Sequence, residues 1–157
     1  MASLDVAHYK EVLGHYATGV VVVTADVASG PAGFTCQSFG SLSLDPVLMT
    51  FAATSQGHSW GLVRRSEYVG ISILGVDQEP LARRFATTGL DKFAGTSWEK
   101  APNGSPLLGG AIAHLEGRIS GITTHGDHDV AVAEVTYVLA RSGHPLIYFR
   151  GGFGELA

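Results

Sequence analysis

The residues best suited to chemistry stand between Gly33 and Pro46. Thr35-Cys-Gln-Ser38 and Ser41-Leu-Ser43 gather hydroxyls, a thiol and a carboxamide within nine residues, between two hydrophobic runs. A glycine-flanked polar stretch that leaves a strand offers such groups, with backbone N–H donors, on one concave surface. That surface suits a phosphate or the polar edge of a heteroaromatic ring. The alternative is a serine-rich turn whose hydroxyls cap their own backbone. Cys36 in this stretch is either a redox thiol or a small, partly buried filler. With no second cysteine to resolve an oxidised form, the filler is favoured.

Gly126-Asp-His128 is the second candidate, an acid and an imidazole following a glycine between two strand-like runs. His125 and His128 have the i, i+3 spacing of a metal pair, but no third or fourth ligand lies near them in sequence, so no metal site is expected. The plainer reading is a turn in which Asp127 accepts backbone N–H bonds and His128 is simply exposed. His8, His15, His58, His114 and His144 are scattered.

The elements that must position these groups are mostly strands. Gly19-Val-Val-Val-Val-Thr24 is a β-branched run bounded by the turn-rich Ala28 to Pro31, and Gly33 to Phe39 reads as its hairpin partner. Pro46–Ala53, Tyr68–Leu74, Ala111–Thr124, Asp129–Ala140 and Leu146–Phe149 read as further strands. Helical spacing appears over Asp5–Ala17 with Ser3 or Asp5 as N-cap, within Ser55–Arg65, and over Gln78–Phe85 with Pro80 in its first turn. Asp91–Pro106 is loop-rich. Strands without regular βαβ alternation favour a mainly β, antiparallel barrel with short peripheral helices.

Composition narrows the function classes. At 157 residues the chain is expected to be a single domain spanning 1–157. Charged residues are only 15% against 45% hydrophobic, which suggests a surface partly hidden in a homodimer. The net charge of −4 and ten dispersed Lys and Arg residues give no support to nucleic-acid binding. No run approaches membrane-spanning length, and Met1 to Lys10 lacks the apolar region of a signal peptide, so a cytoplasmic protein is expected.

Gly33-Phe-Thr-Cys-Gln-Ser-Phe39 followed by Ser41-Leu-Ser-Leu-Asp-Pro46 resembles the signature of the flavin reductase-like family of split-barrel flavoproteins, commonly Gly-Phe-Thr-Ala-Asn-Ser-Phe and Ser-Val-Ser-Leu-Asp-Pro-Pro. The likeness extends in order through Thr18–Thr24, Leu81–Ala86, Asp91–Gly95 with Trp98, Ser105–Leu108, Gly126–His128 and Tyr148–Gly151. Two departures stand out. Cys36-Gln37 replaces Ala-Asn, as in reductase components resembling those of steroid- and aromatic-ring hydroxylating systems, and Val47 replaces the second proline. The resemblance implies a split β-barrel of Greek-key type. It also implies that Thr35, Cys36, Gln37, Ser38, Ser41, Leu42 and Ser43 hold flavin, with further contacts from Ala52, Ser55 and Ser59. Ser59, opening a helix, would add a favourable dipole for an anion, and His58 lies close to that phosphate side. Phe85, Lys92 and Phe93 match positions that close over the flavin. His128 would help place the nicotinamide, with Tyr148 and Arg150 nearby.

The activity so implied is hydride transfer from NADH, with NADPH left open, to FMN or FAD, and delivery of reduced flavin to a separate monooxygenase component. That chemistry is carried by the cofactors, in keeping with a sequence that has no Ser-His-Asp set, no paired carboxylates and no GxGxxG. The competing reading is a non-catalytic flavin- or haem-binding split-barrel module.

Overall fold

The computed structural model describes residues 3–157; Met1 and Ala2, the first two residues of the segment expected to lack a signal peptide, lie outside the described residues. In chain order the elements are α1 (Val6–Leu13), β1 (Thr18–Gly19), β2 (Val21–Val27), β3 (Gly30–Cys36), β4 (Gly40–Leu44), β5 (Val47–Thr54), α2 (His58–Val63) and β6 (Tyr68–Ile73). There follow α3 (Glu79–Phe85), β7 (Trp98–Lys100), β8 (Pro106–Leu108), β9 (Ala113–His125), β10 (His128–Ala140), β11 (Ile147–Phe149) and β12 (Gly152–Gly154).

Seven strands form one sheet in the order β3-β2-β6-β9-β10-β5-β4, and the pairings are antiparallel. The sheet curls until its ends face each other. Phe34 of β3 meets Phe51 of β5 with ring centroids 6.3 Å apart, although four strands separate them in the sheet. Beyond the end of β3, the Ser38 hydroxyl donates to the Ala52 carbonyl (2.9 Å) and accepts the Ala52 N–H (2.8 Å). One side chain thus supplies both bonds of a ladder rung where no continuous ladder joins β3 to β5. This is the split barrel expected from the sequence, open between its edge strands.

β2 is buried on both faces, which is why its run is continuously apolar rather than alternating. Val21, Val23 and Ala25 face the barrel core with Phe51, Trp60 and Ile71. Val22, with Val20 just before the strand, packs outward beneath Ala82 and Phe85 of α3 and against Leu146. At Gly33 a Cβ would stand 2.8 Å from the Val23 carbonyl and 3.3 Å from the Phe85 ring, so glycine there lets α3 settle against the hairpin.

Several boundaries differ from the sequence reading. β3 stops at Cys36, because the chain crosses to a new strand, β4, along β5. The segment read as a serine turn is therefore an edge strand. α1 ends at Leu13, with the Asp5 carboxylate capping the Ala7 N–H at 3.0 Å. The loop-rich stretch contains β7 and leads into β8, its hairpin partner, and β12 adds a short partner to β11. Among the described residues no helix is long and apolar enough to cross a membrane.

Candidate functional site

A cavity of about 470 Å³ opens where the end of β3, the end of β5, α2, α3 and the β9–β10 turn converge. Its wall is built by Thr35 to Ser38 on one side and Ala52 to Thr54 on the other, with Phe85, Ser59 and Lys92 toward one end and His128 at the rim. The volume is that of an ordinary small-molecule site.

Each polar group has a structural reason for its place. The Thr35 hydroxyl donates to the Ala82 carbonyl at 2.6 Å, fixing β3 to α3. The Cys36 thiol lies 3.1 Å from the Ser38 hydroxyl and is buried; burial, only partly offset by hydrogen bonds, pushes its pKa above 9.0, the ordinary value. It is therefore a protonated filler of the wall. Gln37 is exposed.

Lys92 is the principal charge of the site. Its ammonium donates to the Phe85 carbonyl (2.9 Å), the Ser59 hydroxyl (3.0 Å) and the Gly33 carbonyl (3.1 Å). All three acceptors are neutral, and among the described residues no carboxylate pairs with it. Burial lowers its pKa from the usual lysine value. An unneutralised, partly desolvated cation held by a rigid cradle is what an incoming phosphate would compensate. Ser59, which accepts from Lys92, keeps its own proton to donate.

His128 is presented by a tight turn. Gly126 takes φ +60, β9 returns as β10 with His125 opposite His128, and the imidazole Nδ1 meets the Asp127 carboxylate at 2.8 Å. Bonding and charge interaction with His128 hold the Asp127 carboxyl below its usual pKa. With Nδ1 so engaged, Nε2 is the free nitrogen. One residue on, Asp129 points the other way, into the barrel, on the face shared with Ala131 and Ala133. Its carboxylate takes donors from Trp60 Nε1 (2.8 Å), Thr124 (2.8 Å), Ser55 (3.0 Å) and Arg64 (3.0 Å). Those bonds, the indole's foremost, lower its pKa. Asp129 was not among the residues the sequence indicated; its one local mark is that it stands in phase with Ala131 and Ala133, and the donors that give it meaning are not visible there. Trp60, which packs edge-on to both Phe34 and Phe51 under the cavity, was also missed as a site residue.

Of the residues indicated by the sequence, Thr35, Cys36, Gln37, Ser38, Ala52, Ser59, Phe85, Lys92 and His128 come together in this cavity, as does His58. Phe93 stands behind, edge-on to Phe85 at 5.0 Å. Ser55 lies outside, engaged with Asp129. Ser41, Leu42 and Ser43 are carried away on β4, where the Ser43 hydroxyl accepts the Asp45 N–H, the self-capping behaviour weighed above. Tyr148 and Arg150 do not reach the cavity within this chain. Tyr148 pairs with Thr18 and packs on Phe153, while Arg150 bonds to Gly14 and stacks over Phe149 on the α1 side. Among the described residues no group of three or more His, Cys, Asp or Glu side chains is arranged to hold a metal.

An open antiparallel barrel with a polar cavity at the strand ends, walled by hydroxyls and by a lysine with no carboxylate partner among the described residues, places the chain among split-barrel proteins. The chain belongs to the flavin reductase like domain family, whose model matches residues 13–157, and it is a flavin oxidoreductase. It is 36% identical over 152 residues, 96% of its length and 78% of the relative's, to the reductase subunit HsaB of a flavin-dependent monooxygenase from Rhodococcus jostii. It is 34% identical to the FMN reductase (NADH) SmoA of Agrobacterium fabrum, covering 95% of this chain and 85% of that one. Among solved structures, the Streptomyces globisporus NADH:FAD oxidoreductase SgcE6 in complex with NAD and FAD fragments superposes with a TM-score of 0.92 at 31% identity, covering 99% of this chain and 98% of the other.

Proposed function

We propose that this chain is an NADH-dependent flavin reductase of a two-component monooxygenase, working as a cytoplasmic homodimer and releasing reduced flavin to a separate oxygenase. The single observation that carries the reading is the Lys92 ammonium, cradled by three neutral acceptors at one end of a ring-sized cavity. It suits the phosphate, the one anionic group of oxidised flavin mononucleotide. The names of the relatives above support the activity, and the paired reductase subunits among them support the partner.

When bound, flavin and nicotinamide would themselves supply the hydride-transfer chemistry. This chain's residues bind and orient. Lys92 would attract the phosphate through its charge, its three protons being given to Phe85, Ser59 and Gly33, and the Ser59 hydroxyl would donate to it. The backbone from Thr35 to Ser38 would face the polar ring edge, and Trp60 and Phe85 would exclude water. His128, its Nδ1 fixed by Asp127, offers Nε2 toward the carboxamide of the nicotinamide. The exposed apolar side chains of α1, with Val6 62%, Tyr9 51% and Val12 53% accessible, support self-association. Anaerobic mixing with FMN or FAD and then NADH tests the reading. It expects bleaching of the flavin's visible absorbance at a rate that scales with the protein; bleaching no faster than without protein would leave only a flavin-storing module.

A further inference from the structure

Lys92 stands in the connection between α3 and β7, a segment with little backbone bonding of its own. Around the lysine the main chain closes on itself through the Ala94 N–H to the Asp91 carbonyl (3.3 Å) and the Thr96 N–H to the Phe93 carbonyl (3.0 Å). Side chains supply the rest. The half-buried Arg84 donates from Nε to the Lys92 carbonyl (2.8 Å), and from Nη2 to the carbonyls of Asp91 (2.9 Å) and Ala94. The Thr96 hydroxyl adds a bond to the same Lys92 carbonyl at 3.0 Å.

This arrangement sets Arg84 apart from its neighbour. Arg83 pairs with Glu79 at 2.8 Å, an ordinary exposed i, i+4 pair. Arg84 has no carboxylate partner among the described residues and spends its guanidinium on main-chain carbonyls. Three carbonyls turned toward one point repel each other unless a cation joins them, and a planar fork can meet them together where a single ammonium cannot. Lys92 is thus held at both ends by consecutive residues of α3. Arg84 takes its carbonyl, and the carbonyl of Phe85, the last residue of the helix, takes its ammonium. Arg84 itself is not part of the cavity wall.

We propose that Arg84 is a positioning residue for anion binding: by gathering the carbonyls of Asp91, Lys92 and Ala94 it fixes the backbone from which the Lys92 ammonium reaches the cavity. The proposal rests on the reading above that Lys92 attracts the flavin phosphate.

A double-mutant cycle in flavin binding tests it. Arg84→Met should weaken FMN binding about fivefold and riboflavin binding less than about twofold, because only the phosphate senses where the ammonium stands. In a Lys92→Met background the same substitution should change FMN binding less than about twofold. Unchanged FMN binding in Arg84→Met, equal weakening of FMN and riboflavin, or an undiminished loss in the Lys92→Met background overturns the proposal. Arg84→Lys keeps the charge without the fork and should behave as Arg84→Met does; full retention of FMN binding would assign the effect to charge alone and overturn it as well. If Lys92→Met fails to separate FMN from riboflavin, the phosphate reading falls and amide hydrogen exchange decides the positioning by itself. Exchange quickened at Ala94 and Thr96 in Arg84→Met, with the seven-stranded sheet unchanged, upholds it; unchanged exchange there, or quickening spread through the sheet, overturns it.

Discussion

The Trp60 indole donates to the buried Asp129 carboxylate at 2.8 Å, joining the floor of the cavity to the residue that follows His128. The same carboxylate takes Ser55, Thr124 and Arg64, so a single acidic group ties β10, β9, the β5–α2 turn and α2 around the site. A buried carboxylate this fully bonded is stable as the anion and costly to protonate.

Asp129→Asn should lower the melting temperature at neutral pH by several degrees and weaken the acid dependence of stability. The folded-state pKa of Asp129 lies below 3.8, its ordinary value. Its contribution is therefore complete above the unfolded-state pKa and lost as pH falls through the folded one. Thermal melts from neutral pH down through that region should show the wild type converging on the variant. Parallel curves would mean that the carboxylate's charge contributes nothing.

His128→Ala should raise the Michaelis constant for NADH about tenfold, the scale of one lost hydrogen bond to a polar substrate group, and affect flavin less. Equal changes in both constants would make His128 a scaffold residue. Steady-state kinetics with each substrate varied in turn make the distinction.

Lys92→Met should weaken FMN binding about tenfold or more while changing riboflavin binding little, because only FMN presents the phosphate. Riboflavin is the control for any loosening of the Gly33 and Phe85 carbonyls that Lys92 also holds. Equal weakening of both ligands would assign Lys92 a purely structural role.

Cys36→Ala should retain turnover within about twofold, since a thiol whose pKa is pushed up by burial is a poor nucleophile near neutral pH. Alkylation of the wild type should be slow, should quicken as pH rises beyond 9.0, and should be slowed further by FMN. Rapid alkylation at neutral pH would reveal an exposed thiolate instead.

Much of the fold was legible because periodicity reports burial directly. The all-apolar run ending in Thr24 announced a strand covered on both sides, and β10 alternated as a half-buried strand should. The lining of the candidate cavity was legible where it follows contiguous sequence, as in Thr35 to Ser38, and at His128. It was hidden where the chain changes direction. Nothing local says that after Phe39 the backbone joins β5 as an edge strand, so Ser41 to Ser43 seemed part of the wall. Tyr148 and Arg150 were grouped with the site by motif order, whereas their neighbours are fixed by long-range pairing with Thr18 and Gly14. Asp129 was overlooked because its meaning depends on four donors, three of them distant in sequence.

In the proposed function, NADH reduces flavin bound in this cavity. Steady-state oxidation of NADH by the purified chain, with and without added FMN or FAD, tests it most directly. Oxidation should saturate with flavin, fall to the blank rate without it, and drop sharply at low FMN in Lys92→Met. Oxidation equal to the blank at saturating NADH and either flavin would contradict it.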